Sequence, residues 1–380
     1  MKVAIDITSL IYDRGVSRYT SNLIQALSEI QYVKLYLFGY SFRDYKKLSK
    51  LAKKLIKSCK NPGKHKLKLL RIPPSAQNRL WQAKLNPIKK TFPDVDVIHS
   101  WDWLQPPDEN VPLVSTIHDL AILKHPETAN PLTKTMHHKS WTILKKRKAQ
   151  IITPSYSVKK DIISLLRISP SYINVVHEAV PKQTSETMEK LSSFNYNQIK
   201  IDLGLDKPYI LFVGTQEPRK NLSRLIKAWM PLAENYKLII AGADSWDAEL
   251  KALKEKHITN LQALGHVTHE ELLVLYQEAK MLAFPSIDEG FGLPILEAFF
   301  HGIPVLTSNR GAMREIAGNA AEFVNPESIV DIRRGLNVIL NETEKQEKLR
   351  ERRMIIRNQL FSWKKAAIQT FKVYQKAIKS

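Results

Sequence analysis

The chain has 380 residues, of which 58 are basic and 37 acidic, so its formal net charge is +21. Hydrophobic residues make up 43% and charged residues 25%, which excludes a disordered chain, a coiled coil and a disulfide scaffold. No apolar run is long enough for a membrane-spanning helix. Asp6 interrupts the apolar start, so we expect no secretion signal. The single cysteine, Cys59, excludes an internal disulfide and favours a reducing, cytoplasmic location.

The first half of the chain alternates short apolar runs with longer helical patterns. A helix is predicted after Gly15, ending near Ile30. Most of the apolar runs are continuous rather than alternating, as expected of a parallel sheet that is covered on both faces. The predicted strands are Lys2–Ile7, Lys34–Phe38, Leu67–Ile72, Val95–His99, Leu113–Ile117 and Ile151–Thr153.

The positive charge is densest between Arg43 and Arg71, a segment with a single acidic residue, Asp44. Its apolar residues recur every three or four positions and would form one stripe on a helix. A basic amphipathic helix is typical of attachment to an anionic membrane. An ordinary surface helix packed on its own domain is the alternative, and the sequence has no zinc-finger, RNP-like or helix-turn-helix pattern that would favour nucleic acid. The stripe contains Leu48, Leu51, Ala52, Leu55, Ile56 and Cys59, and the lysines expected at the membrane or acceptor surface are Lys46, Lys50, Lys53, Lys54 and Lys57.

The second half repeats the alternation of strands and helices. Such alternation predicts two doubly wound α/β domains, with ligands outside the carboxyl ends of the strands. We predict an N-terminal domain at 1–182, a polar linker at 183–204, a C-terminal domain at 205–360 and a last helix at 361–380. The predicted strands are Tyr209–Val213, Lys237–Ala241, Leu261–Leu264, Met281–Phe284, Pro304–Thr307 and Ala321–Val324, and the predicted helices are Asn221–Glu234, one between the second and third strands, His269–Ala279, Leu293–Phe300, and two near the end.

The loop from Ile287 to Glu297 joins a strand to a helix. Gly290 and Gly292 allow a ligand to approach the backbone closely. The start of the following helix offers free N–H groups and the positive end of its dipole, which favour a phosphate. Glu289 and Glu297 beside an anion site indicate hydrogen bonds from hydroxyl groups, such as those of a sugar or ribose.

Three other loops carry candidate residues. In the loop Gly214–Asn221, two adjacent cations, Arg219 and Lys220, stand at a helix start, where the dipole disfavours them unless they hold a phosphate. The loop Thr8–Tyr19 contains Gly15 before a helix. The segment Thr116–Leu120 places His118 and Asp119 at the end of a strand.

These motifs together resemble those of a known family. Glu289-Gly-Phe-Gly-Leu-Pro-x-x-Glu297 resembles the E-x7-E signature of the family 4 glycosyltransferases, which are retaining, nucleotide-sugar-dependent enzymes of the GT-B fold. The segment Glu217–Asn221 resembles their diphosphate loop. Segments Ile117–Leu120, Pro154-Ser155 and Gly311–Gly318 match in the same order. The resemblance spans about Lys2 to Pro326 and implies two Rossmann-like domains facing a central cleft, with the last helices crossing back to the N-terminal domain.

The resemblance also implies a role for each matching residue. Arg219 and Lys220 should neutralise the leaving diphosphate, and His118 should contact the sugar near the reacting centre. Glu289 should contact sugar hydroxyls, and Glu297 should bind the ribose. Cations and N–H groups set in place there would supply the main catalytic stabilisation. The remaining donor-binding residues implied are Gly15, whose segment Asp13–Arg18 has one glycine where the family often has two or three, and Gly214, Phe291, Gly292 and Leu293.

Other polar and aromatic residues have structural explanations. Asp119 is expected to cap the segment that follows it, and the pair Asp94 and Asp96 is expected to be a loop and strand start rather than a manganese motif. Trp101 and Trp103 would either stack on a sugar or pack in the core. His137 and His138 have no carboxylate or cysteine at metal-ligand spacing, so we predict no metal site.

The sequence therefore predicts a metal-independent, retaining glycosyltransferase without a cofactor. Its substrate would be a GDP- or UDP-linked hexose, with mannose preferred, and its acceptor a saccharide or a lipid-linked saccharide. We expect a cytoplasmic protein, with peripheral attachment to the inner membrane face as the alternative. The rival hypotheses are a non-enzymatic basic adaptor for membrane or nucleic acid, and a phosphorylase or epimerase of the same fold.

Overall fold

The structure is a computed structural model that describes residues 1–12, 15–128, 130–243 and 258–379. The chain forms two compact units. The first contains Met1–Glu178 and Ser362–Ser380, and the second contains Ala179–Phe361. Each unit is built on a parallel sheet, which confirms the predicted α/β class with two Rossmann-like domains.

The first unit has a seven-stranded sheet in the order β3-β2-β1-β4-β5-β6-β7, with every neighbouring pair parallel. The strands are β1 Lys2–Asp6, β2 Lys34–Tyr40, β3 Lys66–Leu70, β4 Val97–Trp101, β5 Leu113–Thr116, β6 Gln150–Thr153 and β7 Ile173–Val175. The helices are Gly15–Ser28, Tyr45–Ser58, Pro74–Gln82, Ile88–Thr91, Ala121–Lys124, Pro131–Lys146, Tyr156–Asp161 and Trp363–Lys379.

The second unit has a six-stranded parallel sheet in the order β10-β9-β8-β11-β12-β13. The helix predicted between β9 and β10 falls on residues 244–257, outside the described residues. The strands are β8 Tyr209–Val213, β9 Lys237–Ala241, β10 Leu261–Gly265, β11 Met281–Phe284, β12 Val305–Ser308 and β13 Glu322–Val324. The helices are Lys182–Lys190, Ser193–Asp202, Leu222–Trp229, His269–Glu278, Leu293–Phe300, Gly311–Ala317, Ile329–Leu340 and Glu344–Asn358.

Burial on both faces explains the continuous apolar runs of the strands. Along β8, Tyr209 and Leu211 belong to one hydrophobic cluster, while Ile210 and Phe212 belong to another. Successive side chains of a strand point to opposite faces, so both faces of this sheet are covered by helices.

The structure differs from the predicted elements at several points. The helix expected at Asn221–Glu234 ends at Trp229 and continues as a 3-10 turn, because Pro231 has no N–H group to donate. The three-residue strand β7 and the helix Ile329–Leu340 were not predicted. Residues 183–204, predicted as a linker, largely form the helices Lys182–Lys190 and Ser193–Asp202. Neither helix buries a residue, so the polar composition reflects exposure rather than a lack of helix.

The last helix, Trp363–Lys379, is an integral part of the first unit. The Tyr374 hydroxyl is hydrogen-bonded to Nδ1 of His99 at 2.7 Å, and Nε2 of His99 is bonded to the Thr116 hydroxyl at 2.8 Å. Burial lowers the pKa of His99 to about 3, so its imidazole is neutral. Trp363 packs edge-on against Tyr19, with ring centroids 5.7 Å apart.

The basic helix Tyr45–Ser58 buries its apolar stripe within its own unit. Leu48, Ala52 and Leu55 are buried, and Leu48 lies against Gly39 of β2. The stripe is therefore not the membrane-inserting face that a basic amphipathic helix would present, and the packing alternative is correct for these residues. Lys46, Lys50, Lys53, Lys54 and Lys57 are all exposed. Among the described residues, no helix is both long and apolar enough to cross a bilayer.

Candidate active site

The two most informative loops of the second unit meet at the point where its strand order reverses. β8 lies between β9 and β11, and the loops after β8 and β11 leave the same edge of the sheet. Ligands of open α/β sheets bind at such a switch point. The predicted loops Gly214–Asn221 and Ile287–Gly292 are therefore side by side, and the Ile287 N–H donates to the Arg219 carbonyl oxygen at 2.7 Å.

Arg219, Lys220 and Glu289 form a tight cluster between these loops. Arg219 Nη1 donates to Glu289 Oε2 at 3.0 Å, and Lys220 Nζ donates to Glu289 Oε1 at 2.5 Å. Arg219 Nη1 also donates to the carbonyl oxygen of Asp288, and Nε donates to Glu217. The side chains are only 13% (Arg219), 12% (Lys220) and 8% (Glu289) exposed. Both predicted cations therefore bind the same predicted carboxylate, that of Glu289.

The cations determine the protonation of Glu289. Burial would raise the pKa of its carboxyl group, but the charges of Lys220 and Arg219 outweigh burial, and the pKa is lowered. Glu289 is therefore ionised near neutral pH. Arg219 is also paired with Glu217, so the cluster contains two cations and two carboxylates and has no net charge. An anionic ligand would have to compete with the two carboxylates for the same donors.

Close approach of two loops shapes the floor of the cluster. Gly214 has φ +148°. A Cβ atom added at Gly214 would lie 3.8–3.9 Å from the end of the Lys220 side chain. A Cβ on Gly242, after β9, would lie 2.0 Å from the Gly214 carbonyl oxygen, so only glycine fits there. Asn221 adopts φ +62°, and its side-chain amide donates to the carbonyl oxygens of Pro285 and Pro326 at 3.0 and 2.6 Å, which fixes the end of the Arg219 loop.

The turn before helix Leu293–Phe300 is built around Gly292, whose φ of +98° favours glycine. The side chain of Phe291 is buried and packs edge-on against Phe361, with ring centroids 6.0 Å apart. This anchors the backbone of Phe291, Gly292 and Leu293 at the N-terminus of the helix, where N–H groups lack intrahelical acceptors. The predicted phosphate-holding segment is thus fixed by its side chains.

Glu297 lies one turn into that helix and is buried. Its Oε2 accepts a hydrogen bond from the Tyr276 hydroxyl at 2.9 Å. The ring of His301 stacks on Tyr276 with centroids 5.4 Å apart, and burial lowers the pKa of His301 to about 4. Tyr276 and His301, which the sequence did not single out, therefore hold the carboxylate in place.

In the first unit, His118 follows β5 and contacts a carboxylate that the sequence analysis missed. Its Nδ1 donates to Glu178 Oε1 at 3.3 Å, while Nε2 is buried and has no hydrogen-bond partner among the described residues. The imidazole ring packs edge-on against the Tyr19 ring, with centroids 4.6 Å apart, and stacks on the Trp101 ring, with centroids 6.1 Å apart. Burial opposes the charged form, but Glu178 outweighs it, so the pKa of His118 is raised.

Glu178 was missed because β7 was not predicted. Glu178 stands three residues after this short strand, at the same sheet edge as His118. A glutamate beyond a recognised strand end would have been a candidate.

Gly15 begins the helix Gly15–Ser28. A Cβ atom added at Gly15 would meet nothing within 4 Å, so packing does not require glycine at this position. Residues 13 and 14 of its segment lie outside the described residues.

Several residues with alternative interpretations have structural roles. Asp119 accepts from the Ala121 N–H at 3.0 Å, as expected of a cap, and Asp94 pairs with Lys2 at 2.9 Å. Trp101 is fully buried.

His137 has a carboxylate partner that is distant in sequence. His137 Nδ1 contacts Asp102 at 3.2 Å, a carboxylate that sequence spacing concealed because the fold brings it from 35 residues away. Within the described residues, no group of three or more His, Cys, Asp or Glu side chains is arranged to hold a metal.

Two family models match the chain. One, described as Glycosyl transferases group 1, matches residues 195–353, and one described as Glycosyltransferase Family 4 matches residues 14–183. O-antigen chain mannosyltransferase B of Escherichia coli is 30% identical over 237 residues, 59% of this chain and 60% of that protein. O-antigen chain mannosyltransferase RfbU of Salmonella typhimurium is 32% identical over 189 residues, 48% of each. The chain thus spans about half to 60% of the length of these relatives.

Solved structures share the fold over the whole chain. A glycosyltransferase from Rickettsia africae is 16% identical with a TM-score of 0.74, covering 100% of this chain and 99% of that one. HepE of Anabaena in complex with UDP and glucose is 16% identical with a TM-score of 0.69, covering 99% and 100%. At these identities the likeness concerns the fold.

Proposed function

Because this chain belongs to the family 4 glycosyltransferases, we propose that it transfers a hexose from a nucleotide diphosphate sugar to a saccharide or lipid-linked acceptor. The observation that carries the proposal is the cluster of Arg219, Lys220 and Glu289 at the strand-order switch point of the second unit. Mannose from GDP-mannose is the preferred donor, since the relatives at 30% and 32% identity are named mannosyltransferases. A UDP-linked hexose is the rival.

The second unit is proposed to hold the donor. Arg219 and Lys220 stabilise the negative charge that the diphosphate gains as the bond to the sugar breaks. For this they must shift part of their bonding from Glu289 to the diphosphate, which leaves Glu289 able to accept hydrogen bonds from sugar hydroxyls. The backbone at Phe291, Gly292 and Leu293 faces the phosphate and sugar, and Glu297 accepts from the ribose hydroxyls.

The first unit is proposed to hold the acceptor and to supply His118. Glu178 fixes the proton on Nδ1, so the buried Nε2 is the atom offered to a sugar hydroxyl. Nε2 accepts from that hydroxyl when the imidazole is neutral and donates when it is charged. Because Glu178 outweighs burial and raises the pKa of His118, the charged form is favoured relative to an ordinary imidazole.

Transfer is proposed to proceed with retention and without a metal. The bond from the anomeric carbon to the diphosphate oxygen breaks, the acceptor oxygen bonds to the same face of that carbon, and the acceptor proton passes to the departing diphosphate. The side chains of Arg219 and Lys220 take the place that a divalent cation has in metal-dependent transferases.

We also propose a peripheral position at the inner membrane face for a lipid-linked acceptor. The exposed Lys46, Lys50, Lys53, Lys54 and Lys57 would attract anionic lipid, each contributing about 1 kcal/mol near the surface. Since the apolar stripe is buried, this attachment is electrostatic alone. It should be lost at high salt and on neutral vesicles, which flotation assays would measure.

The donor proposal is tested by thermal unfolding with GDP, UDP, ADP and their sugars, in chelator. A ligand at 100 times its dissociation constant should stabilise the native chain by about 2.7 kcal/mol. The anomeric configuration of the transferred sugar is then measured by NMR. Glu297→Ala should weaken nucleotide binding while Glu278→Ala, on the same unit, leaves it unchanged. Absence of stabilisation by all nucleotides, or transfer that requires added metal, would contradict the proposal.

A further inference from the structure

A cavity of about 500 Å³ lies in the first unit between the helices Pro74–Gln82 and Pro131–Lys146. Its volume is in the range typical of small-molecule sites. Trp81, Trp103 and Met136 contribute apolar walls, and Asn78 and Gln82 contribute side-chain amides. Trp103 stands two residues beyond β4, so the cavity reaches the edge of the sheet at which α/β folds bind ligands.

The walls of the cavity are fixed by buried hydrogen bonds. Gln105 Nε2 donates to the Trp101 carbonyl oxygen at 2.7 Å and to the Ser140 hydroxyl at 2.9 Å, which ties the loop after β4 to the helix Pro131–Lys146. The contact of His137 with Asp102 makes a second tie between the same two elements. A site held in this way loses little conformational entropy when a ligand binds.

The lining is largely apolar, with polar groups that favour a ligand carrying both an apolar face and hydrogen-bonding groups. Leu104 and Ile143 add to the apolar walls, and Lys139 adds an ammonium group. Gln82 Nε2 donates to Asn78 Oδ1 at 3.0 Å. The Asn78 NH2 group and the Gln82 side-chain oxygen have no hydrogen-bond partner among the described residues, which leaves one donor and one acceptor for a ligand. His138 adds an exposed imidazole. A hydrocarbon chain would strip water from these groups and pair none of them. A sugar presents an apolar C–H face for Trp103 and hydroxyls for the amides and imidazole.

The cavity is close to the proposed reactive histidine. Trp101 lies between them, with its ring 6.0 Å from Trp103 and 6.1 Å from His118. The cavity wall at Trp103 and the imidazole of His118 are therefore both in contact with the same buried indole ring.

We propose that this cavity binds a saccharide, namely the sugar residues of the acceptor that adjoin the reacting one. That the bound saccharide is the acceptor rests on the proposed glycosyltransferase activity. Saccharide binding itself is measurable without any transfer.

The experiment is saturation-transfer NMR on the full chain with methyl α-D-mannopyranoside and methyl α-D-glucopyranoside, with geraniol as the apolar probe. Thr142→Trp fills the cavity from its exposed rim. Thr135→Trp is the matched control, since Thr135 is an exposed threonine of the same helix outside the cavity, and both hydroxyls donate to the carbonyl oxygen four residues earlier at 2.9 Å. Gln82→Leu removes the amide and keeps the volume.

We expect at least one glycoside to bind the wild type and the Thr135→Trp variant and to lose its signal with Thr142→Trp. Gln82→Leu should weaken its binding by about tenfold, the effect of a lost hydrogen bond of ordinary strength. No glycoside signal, equal signals in both tryptophan variants, or geraniol in place of the sugars would overturn the inference.

Donor hydrolysis without acceptor separates this result from the proposed function. It should be the same in Thr142→Trp and Thr135→Trp. A chain that binds saccharide in the cavity but neither binds nor hydrolyses nucleotide sugars would contradict the proposed function and leave the saccharide site standing.

Discussion

Replacing Glu289 by alanine tests the central ion cluster. The change leaves Arg219 and Lys220 next to each other with little access to water, since they are only 13% and 12% exposed. Breaking a buried ion pair by removing one partner costs about 3–5 kcal/mol. We expect the lower end, about 3 kcal/mol, because Arg219 keeps its bonds to Glu217 and to the Asp288 carbonyl oxygen.

The loss is measurable by thermal unfolding. For a unit the size of the second one, 1 kcal/mol corresponds to about 2–4 °C, so the midpoint should fall by about 6–12 °C. The control is Glu278→Ala, whose carboxylate pairs with Lys200 at 2.7 Å where the two side chains are 33% (Lys200) and 29% (Glu278) exposed. An exposed pair of this kind contributes at most about 1 kcal/mol. The hydrogen bond that Glu278 accepts from the Tyr196 hydroxyl at 2.7 Å adds about 1 kcal/mol, so the control should lose at most about 2 kcal/mol.

A nucleoside diphosphate should partly reverse the effect of Glu289→Ala. Its phosphates replace the carboxylate that Arg219 and Lys220 have lost as a partner. GDP or UDP should therefore stabilise this variant more than the wild type. A sugar-free nucleotide is used because Glu289 is also the proposed sugar ligand. A midpoint no lower than that of the Glu278→Ala control, or weaker stabilisation by the nucleotide, would refute the reasoning.

Three further expectations concern protonation and packing. The pKa of Glu289 is lowered, so its contribution to stability is present above the ordinary glutamate value of about 4.3 and is lost as the pH falls through the folded-state pKa. The difference in unfolding midpoint between the wild type and Glu289→Ala should therefore shrink in acid. A difference that stays constant with pH would contradict this. Glu178→Gln should lower the pKa of His118. In the wild type, protonated His118 contributes stability that is lost as the pH rises through the raised pKa, and this contribution should disappear in the variant. An NMR titration of His118 with an unchanged midpoint would disprove the role of Glu178. Tyr374→Phe leaves Nδ1 of buried His99 without its partner and should destabilise the first unit by about 1–3 kcal/mol in urea unfolding, whereas a change under about 0.5 kcal/mol would show that the bond is dispensable.

The fold was largely predictable because the strands are buried on both faces. Runs such as Tyr209–Val213 and Met281–Phe284 are apolar throughout, and the structure has strands at the same residues. Short or exposed elements were harder. The strand Ile173–Val175 is too short to show a period, and the helices Lys182–Lys190 and Ser193–Asp202 have no buried face to mark them.

The candidate site was predictable where glycines and charges lie close together in sequence. The spacing of Glu289 and Glu297 and the adjacent Arg219 and Lys220 were enough to indicate a loop at a strand end. What joins distant segments was not predictable. The pairing of His118 with Glu178 depends on the register of neighbouring strands, which no local pattern encodes.

The buried bond between Tyr374 and His99 has a consequence for the order of assembly. Domains made early by the ribosome generally fold first. Here the first unit receives the helix Trp363–Lys379 only after residues 179–361 have been synthesised. Until then the pocket for Tyr374 on β4 and the partner surface for Trp363 at Tyr19 stay uncovered. The N-terminal sheet is therefore the first to be made and the last to be completed.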